Sequence, residues 1–146
     1  MVRNKKDRDA SWIGIPNDIS KYAGFIYCIT NIKTGKTYIG KKVFFNEMAR
    51  PPLKGRKNKR HYLKESDWRD YYGSSATLHL DLEKYGQNAF KRQIIRLCKS
   101  KWELSYYELI EQIEREVLFR DDSYNGIIQV RLPKAPKRLR TKRGIY

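Results

Sequence analysis

The sequence predicts a small α/β fold of the α+β kind: a three-stranded, mainly antiparallel sheet flanked by helices. Three observations carry this. Residues 25–30 and 36–40 are two runs rich in β-branched and aromatic side chains, and the intervening Asn31-Ile32-Lys33-Thr34-Gly35 has the Asn and Gly of a reversing loop. Residues 90–98, reading FKRQIIRLC, supply a third strand. Residues 76–85 and a second segment opening at Ser100 repeat apolar side chains at helical spacing.

With 146 residues the chain can bury a core unaided, as one domain plus tails. Residues 1–20 read as an N-terminal extension, 21–130 as the folded domain with a basic insertion at 41–69, and 131–146 as a basic tail. Lys and Arg number 32 against 16 acids, a net charge of +16. That excess repels itself in a compact chain and is a footprint of nucleic-acid binding. No apolar run is long enough to cross a bilayer and no secretory leader is evident, so an intracellular protein without a membrane partner is expected. Cys28 and Cys98 are too few and too far apart for a thiolate zinc site and read as small buried hydrophobes.

Along the chain, residues 1–9 are polar, whereas Trp12, Ile13 and Ile15 can clip onto the domain ahead of a helix cap at Asn17 or Asp18. In the hairpin, alternation puts Phe25, Tyr27 and Ile29 on one face and Ile26 and Cys28 on the other, with Tyr38 able to share a surface with Tyr27. From the hairpin alone, a half-buried packing pair is the favoured account of these two tyrosines.

The insertion holds ten Lys or Arg and three acids, and Pro51-Pro52 and Gly55 break regular structure, so a long loop is expected. Its cations suit either a solvated charge run or a phosphate backbone. Ser74 or Ser75 caps a helix over 76–85, which Gly86 ends, and His79 lies on its surface. In the third strand Phe90, Ile94 and Cys98 fall in phase, opposite Ile95 and Leu97. Ser100 and Glu103 form a capping box for a helix whose stripe runs through Leu104, Tyr107, Ile110 or Glu111, Glu114 and Leu118. Residues 121–126 read as a turn and 127–130 as a short closing strand. The tail over 131–143 carries seven Lys or Arg and no acid, an arm that can track phosphates.

Phe25-Ile26-Tyr27, followed eleven residues later by Tyr38-Ile39-Gly40, resembles the paired motif of the GIY-YIG nuclease family, with Phe25 where the family name has glycine. The resemblance spans about residues 24–130. It implies a metal-dependent DNA endonuclease, closest to phage-type stand-alone members related to homing endonucleases because no long recognition domain is appended. Tyr27 would be the base that activates water, and Tyr38 its partner. Composition singles out no glutamate; the pattern Leu104-Ser105-Tyr106-Tyr107-Glu108 resembles the family's leucine-then-glutamate, which makes Glu108 the ligand of one Mg²⁺ or Mn²⁺, with Glu111 second. Asn125 would match the family's supporting asparagine.

For the phosphate clamp the resemblance implies an arginine, and Arg56 ranks ahead of Arg60 and Arg69, with Lys42 sharing the role. His61 or Tyr72 would stand for the family's residue after the hairpin. The expected DNA-binding set is Lys41, Lys42, Lys57, Lys59, Arg60, Arg69, Arg138, Arg140, Lys142 and Arg143, and the expected partner is double-stranded DNA. Monomer and oligomer both remain open. A restriction-type endonuclease and a non-catalytic nucleic-acid-binding module are the alternatives.

Overall fold

The computed structural model describes residues 11–140. Lys142 and Arg143, like the polar residues 1–9, lie outside them. Among the described residues six strands and two α-helices follow in chain order: β1 (Trp12–Ile13), β2 (Gly24–Asn31), β3 (Thr37–Val43), β4 (Phe45–Arg50), β5 (Arg60–Glu65), α1 (Ala76–Tyr85), β6 (Phe90–Cys98) and α2 (Lys101–Glu114).

The expected hairpin is β2–β3. Asn31 folds the chain back, its side-chain oxygen accepting from the N–H groups of Lys33 and Thr34 while Gly35 takes up φ 80°. The main sheet has the order β1-β6-β2-β3, in which β6 pairs antiparallel with β2. The two-residue β1 lies parallel to β6 and adds a fourth strand to the three expected. Trp12 anchors it, buried to 4% exposure and donating its indole N–H to the Trp68 carbonyl at 3.0 Å. Asp18 does act as a cap, but of a single 3₁₀ turn, Ile19–Lys21.

One face of the sheet buries Trp12, Phe25, Tyr27, Ile29, Phe90 and Ile94 with Phe44, Trp68 and Leu78, the last from α1. The other buries Ile26, Cys28, Ile39 and Cys98 against Leu104 of α2 and Val117. The alternation within β2 therefore holds. In β6 the phase differs from expectation. Tyr27 pairs with Ile94 and Ile26 with Arg96, so Ile95 is an extra residue in a bulge, and the bulge sends Cys98 to the face opposite Phe90 and Ile94.

Helix α1 has its predicted bounds, with Ser75 Oγ accepting from Leu78 N and Gly86 closing it. Helix α2 opens with the predicted capping box: Glu103 N donates to Ser100 Oγ, and Ser100 Oγ and Lys99 N both donate to Glu103 Oε2. It ends at Glu114, where left-handed Glu116 (φ 53°) turns the chain. That turn buries Val117 and leaves Leu118 exposed, so the stripe does not extend to Leu118.

Two further expectations fail. The insertion is not a loop: β4 and β5 pair antiparallel over six residue pairs, and Pro51, Pro52 and Gly55 lie in the connection between them. Residues 127–130 form no strand; the edge of β3 is met instead by a single bridge between Thr37 and Ser123.

Candidate active site

Strand β3 is the outer strand of the main sheet, so every second residue points its backbone N–H and C=O away from β2. At Ile39 two side chains take the place of a neighbouring strand. Asn125 accepts from Ile39 N through Oδ1 and donates to Ile39 O through Nδ2, both at 2.9 Å. Gln112 of α2 donates to the same carbonyl at 3.2 Å. Tyr124 N donates to Thr37 O, and Thr37 N to Asp122 O. The segment after α2 is thereby sewn to the strand that carries Tyr38.

This edge lines a cleft of about 320 Å³, walled by Tyr38, Ser74, Glu108, Gln112, Asn125 and Gln129 among others. Tyr38 hydrogen-bonds Ser74 through the two hydroxyls at 3.1 Å. Its ring centroid is 6.1 Å from that of Tyr27, which packs behind it at 1% exposure. Tyr71 closes the cluster, perpendicular to Tyr27 at 6.0 Å.

Space for these phenols comes from two glycines. A Cβ at Gly40 would overlap the Tyr27 hydroxyl and come within 2.6 Å of Tyr27 Cζ, and one at Gly73 would come within 2.9 Å of Tyr38 Cε1. His79 Nε2 lies 2.7 Å from the Gly73 carbonyl oxygen; a carbonyl only accepts, so the ring donates and holds that glycine in place.

Burial pushes the Tyr27 phenol well above its ordinary value, and Tyr38, Tyr71 and Glu108 add to the shift. Tyr38 is raised as well, again mainly by burial. Desolvation is the largest cause for both phenols. Glu108 is half-buried, and burial raises its carboxyl, while the Lys41 cation and the Lys41 backbone N–H oppose the rise. Lys41 Nζ also donates to Ser105 Oγ, one turn before Glu108.

The structure thus brings Tyr27, Tyr38, Glu108 and Asn125 together. Arg56 is elsewhere, in the connection between β4 and β5 with Lys57 and Lys59, and Arg60 opens β5 beside them. Arg69 lies over the Trp68 ring and donates to Glu65 at 2.8 Å, and Glu111 pairs with Arg96 and Arg115. Neither His61, on β5, nor Tyr72, buried against the Arg92 guanidinium, lines the cleft. Lys42 is close: its ammonium sits 4.0 Å from the Tyr71 ring centroid and 2.6 Å from Asp67 Oδ1. Arg138 and Arg140 are exposed on the tail, which is tied to α2 by Trp102 Nε1 donating to Pro133 O.

Sequence reasoning missed Tyr71, Ser74 and Gln112 as site residues. Gln112 had a signal, since it follows Leu104 and Glu108 at intervals of four and so shares their side of the helix.

A profile of the family described as "Putative endonuclease segE, GIY-YIG domain" matches residues 11–128. The chain belongs to this GIY-YIG family. It is 31% identical over 103 residues to the "Putative endonuclease segD" of Enterobacteria phage T4, a match covering 70% of this chain and 37% of the relative. The chain therefore aligns with little more than a third of that relative's length. No solved structure matches it. The GIY-YIG match includes every residue lining the cleft except Gln129.

Proposed function

We propose that the protein is a phage-type DNA endonuclease that hydrolyses phosphodiester bonds with one divalent cation held at Glu108. The observation that carries this reading is the convergence of Tyr38, Glu108 and Asn125 on one cleft with Tyr27 directly behind.

Cutting a phosphodiester needs an activated water, neutralisation of the charge growing on phosphorus and relief of the leaving oxygen. Among the described residues no group of three His, Cys, Asp or Glu side chains could cage a metal. A single carboxylate fits Mg²⁺ or Mn²⁺, hard cations that keep several waters and take phosphate oxygens as further ligands. When bound, the cation supplies positive charge at the phosphate and lowers the pKa of nearby oxygen acids.

Tyr27 takes the proton of the attacking water, and Tyr38 orients water or phosphate from the cleft wall. Both phenols are protonated at neutral pH and burial reinforces this, so Tyr27 would serve as base only after cationic charge beside it had driven its own proton off to solvent. Lys42, packed on Tyr71, offers the phosphate a charge near the phenols, while Arg56 grips the duplex away from the cut. Asn125 positions Tyr38 through the backbone of the residue after it. Lys41, Lys57, Lys59, Arg60, Arg138 and Arg140 add salt-sensitive affinity for duplex phosphates.

Supercoiled plasmid incubated with Mg²⁺ or with EDTA tests the reading. Nicking is expected only with the metal. Glu108→Gln should abolish it while leaving DNA binding intact, and Tyr27→Phe should slow it by roughly 10²–10⁴-fold, the usual worth of a general base. Full cutting by Glu108→Gln would remove the metal role from this carboxylate. Salt-sensitive binding without cutting under any condition would favour the binding-module alternative.

A further inference from the structure

The β4–β5 ribbon has two unlike faces. Residues directly opposite in an antiparallel pair share a face, and successive residues alternate. Phe45, Glu47, Ala49, His61, Leu63 and Glu65 therefore form one side, and Asn46, Met48, Arg50, Arg60, Tyr62 and Lys64 the other.

The first side turns to the body of the protein. Phe45 packs on the aromatic core, and Glu47 lies 3.7 Å from Lys101 of α2. Leu63 shares a pocket with Tyr22 and Ala23, and Glu65 accepts from Trp68 Nε1 at 3.0 Å. The second side has three cations and no acid. Arg50 stands directly opposite Arg60 and covers the Tyr62 ring at 4.3 Å. Like charges placed opposite each other destabilise a ribbon. Their pairing here is the signature of a surface completed by a polyanion. Over residues 45–65 seven Lys or Arg face two acids, and both acids are on the body side.

We infer that this outer side enters the major groove of duplex DNA and gives the protein its base preference, with Arg50 and Arg60 on guanine edges. The inference rests on the endonuclease reading above for its partner. The major groove, about 12 Å wide, admits a two-stranded ribbon, and arginine binds guanine O6 and N7 as a fork. Asn46 offers the amide that suits adenine, and Met48 and Tyr62 offer apolar contact. The ribbon is also held firmly to the site. Between β3 and β4 stands only Phe44, 0% exposed, with its N–H on Ala23 O and its carbonyl accepting from Ser66 N. Bases read by the ribbon would therefore lie at a fixed offset to one side of the cut.

The full-length protein is bound to a long duplex in EDTA, and guanine N7 methylation, which marks the major groove, is tested for interference. Cleavage ends are then mapped with Mg²⁺. Interference at guanines beside the cut is expected, and Arg50→Ala and Arg60→Ala should each relax preference at one guanine roughly ten-fold or more. Glu47→Gln, on the body side, should leave the preference unchanged. Binding and cutting that show no N7 interference, or interference unaltered in both arginine variants, would overturn the groove assignment and leave the nuclease reading standing. Failure to bind or cut duplex DNA at all would sink both together.

Discussion

Asn125→Ala isolates the contribution of the amide that completes the edge of β3. The substitution removes two hydrogen bonds of 2.9 Å at a side chain that is 8% exposed. The Ile39 carbonyl keeps a partner in Gln112, but the Ile39 N–H is left buried with none. An orphaned buried donor costs about 1–3 kcal/mol. Taking about 2 kcal/mol, and roughly 4 °C per kcal/mol for a domain of this size, Tm should fall by about 8 °C. Thermal unfolding followed by circular dichroism measures this directly. Gln112→Leu alone should cost less, because Asn125 still serves the same carbonyl. The double variant should lose more than the sum of the two, since only then are both Ile39 groups abandoned. An Asn125→Ala protein melting within a degree or two of the parent, or strictly additive losses, would refute the clamp.

Glu108→Gln should stabilise the fold at neutral pH while removing activity. The folded carboxyl titrates above its ordinary 4.5, so its charged form carries a burial penalty at pH values above the folded pKa. That penalty shrinks as pH falls through the raised value and is gone below the unfolded one, so melting curves of parent and variant should converge on acidification; a gap that widens would reverse the sign. Gly40→Ala places a methyl on the Tyr27 phenol and should cost about 1–3 kcal/mol in urea unfolding, with activity falling further than stability. Cys98 is 2% exposed and its thiol is pushed up to about 12, mainly by burial, so thiol reagents should modify it only on unfolding.

The sequence was readable wherever burial on one face imposes a pattern. The hairpin faces, the limits of α1 and the capping box of α2 all follow from side chains that must choose between core and water. The β4–β5 ribbon was not readable for the complementary reason: nearly all of it is exposed, so RHYLKE carries no alternation of apolar and polar residues, and its turn looks like a break. The bulge at Ile95 leaves no mark on composition, so the phase of β6 could not be followed to Cys98. Arg92 was assigned no place by the pattern of residues 90–98. It is 1% exposed, stacked between Trp12 and Tyr72 with its guanidinium donating to Tyr71 O at 2.8 Å and to Ser11 Oγ. Its position in phase with Phe90 and Ile94 was the available hint. Of the candidate site, the two tyrosines, the glutamate and the asparagine were singled out through the family pattern, whereas Tyr71 and Ser74 meet the tyrosines only through the return of the chain after the ribbon.

The strand at the heart of the main sheet is the last of its strands to be synthesised. β6 separates β1 from β2, so the first strand has no partner until some eighty residues later, and the β2–β3 hairpin lacks its second neighbour for nearly as long. Pairings so distant along the chain must wait for closure of large loops, which slows assembly and leaves strand edges open meanwhile. A nascent chain halted before residue 98 would hold both tyrosines yet no finished sheet beneath them, and neither Glu108 nor Asn125 would have been made. On the proposed endonuclease reading, competence to act on a phosphodiester therefore waits for the chain through Asn125, a delay set by the order of the strands and site residues along the sequence.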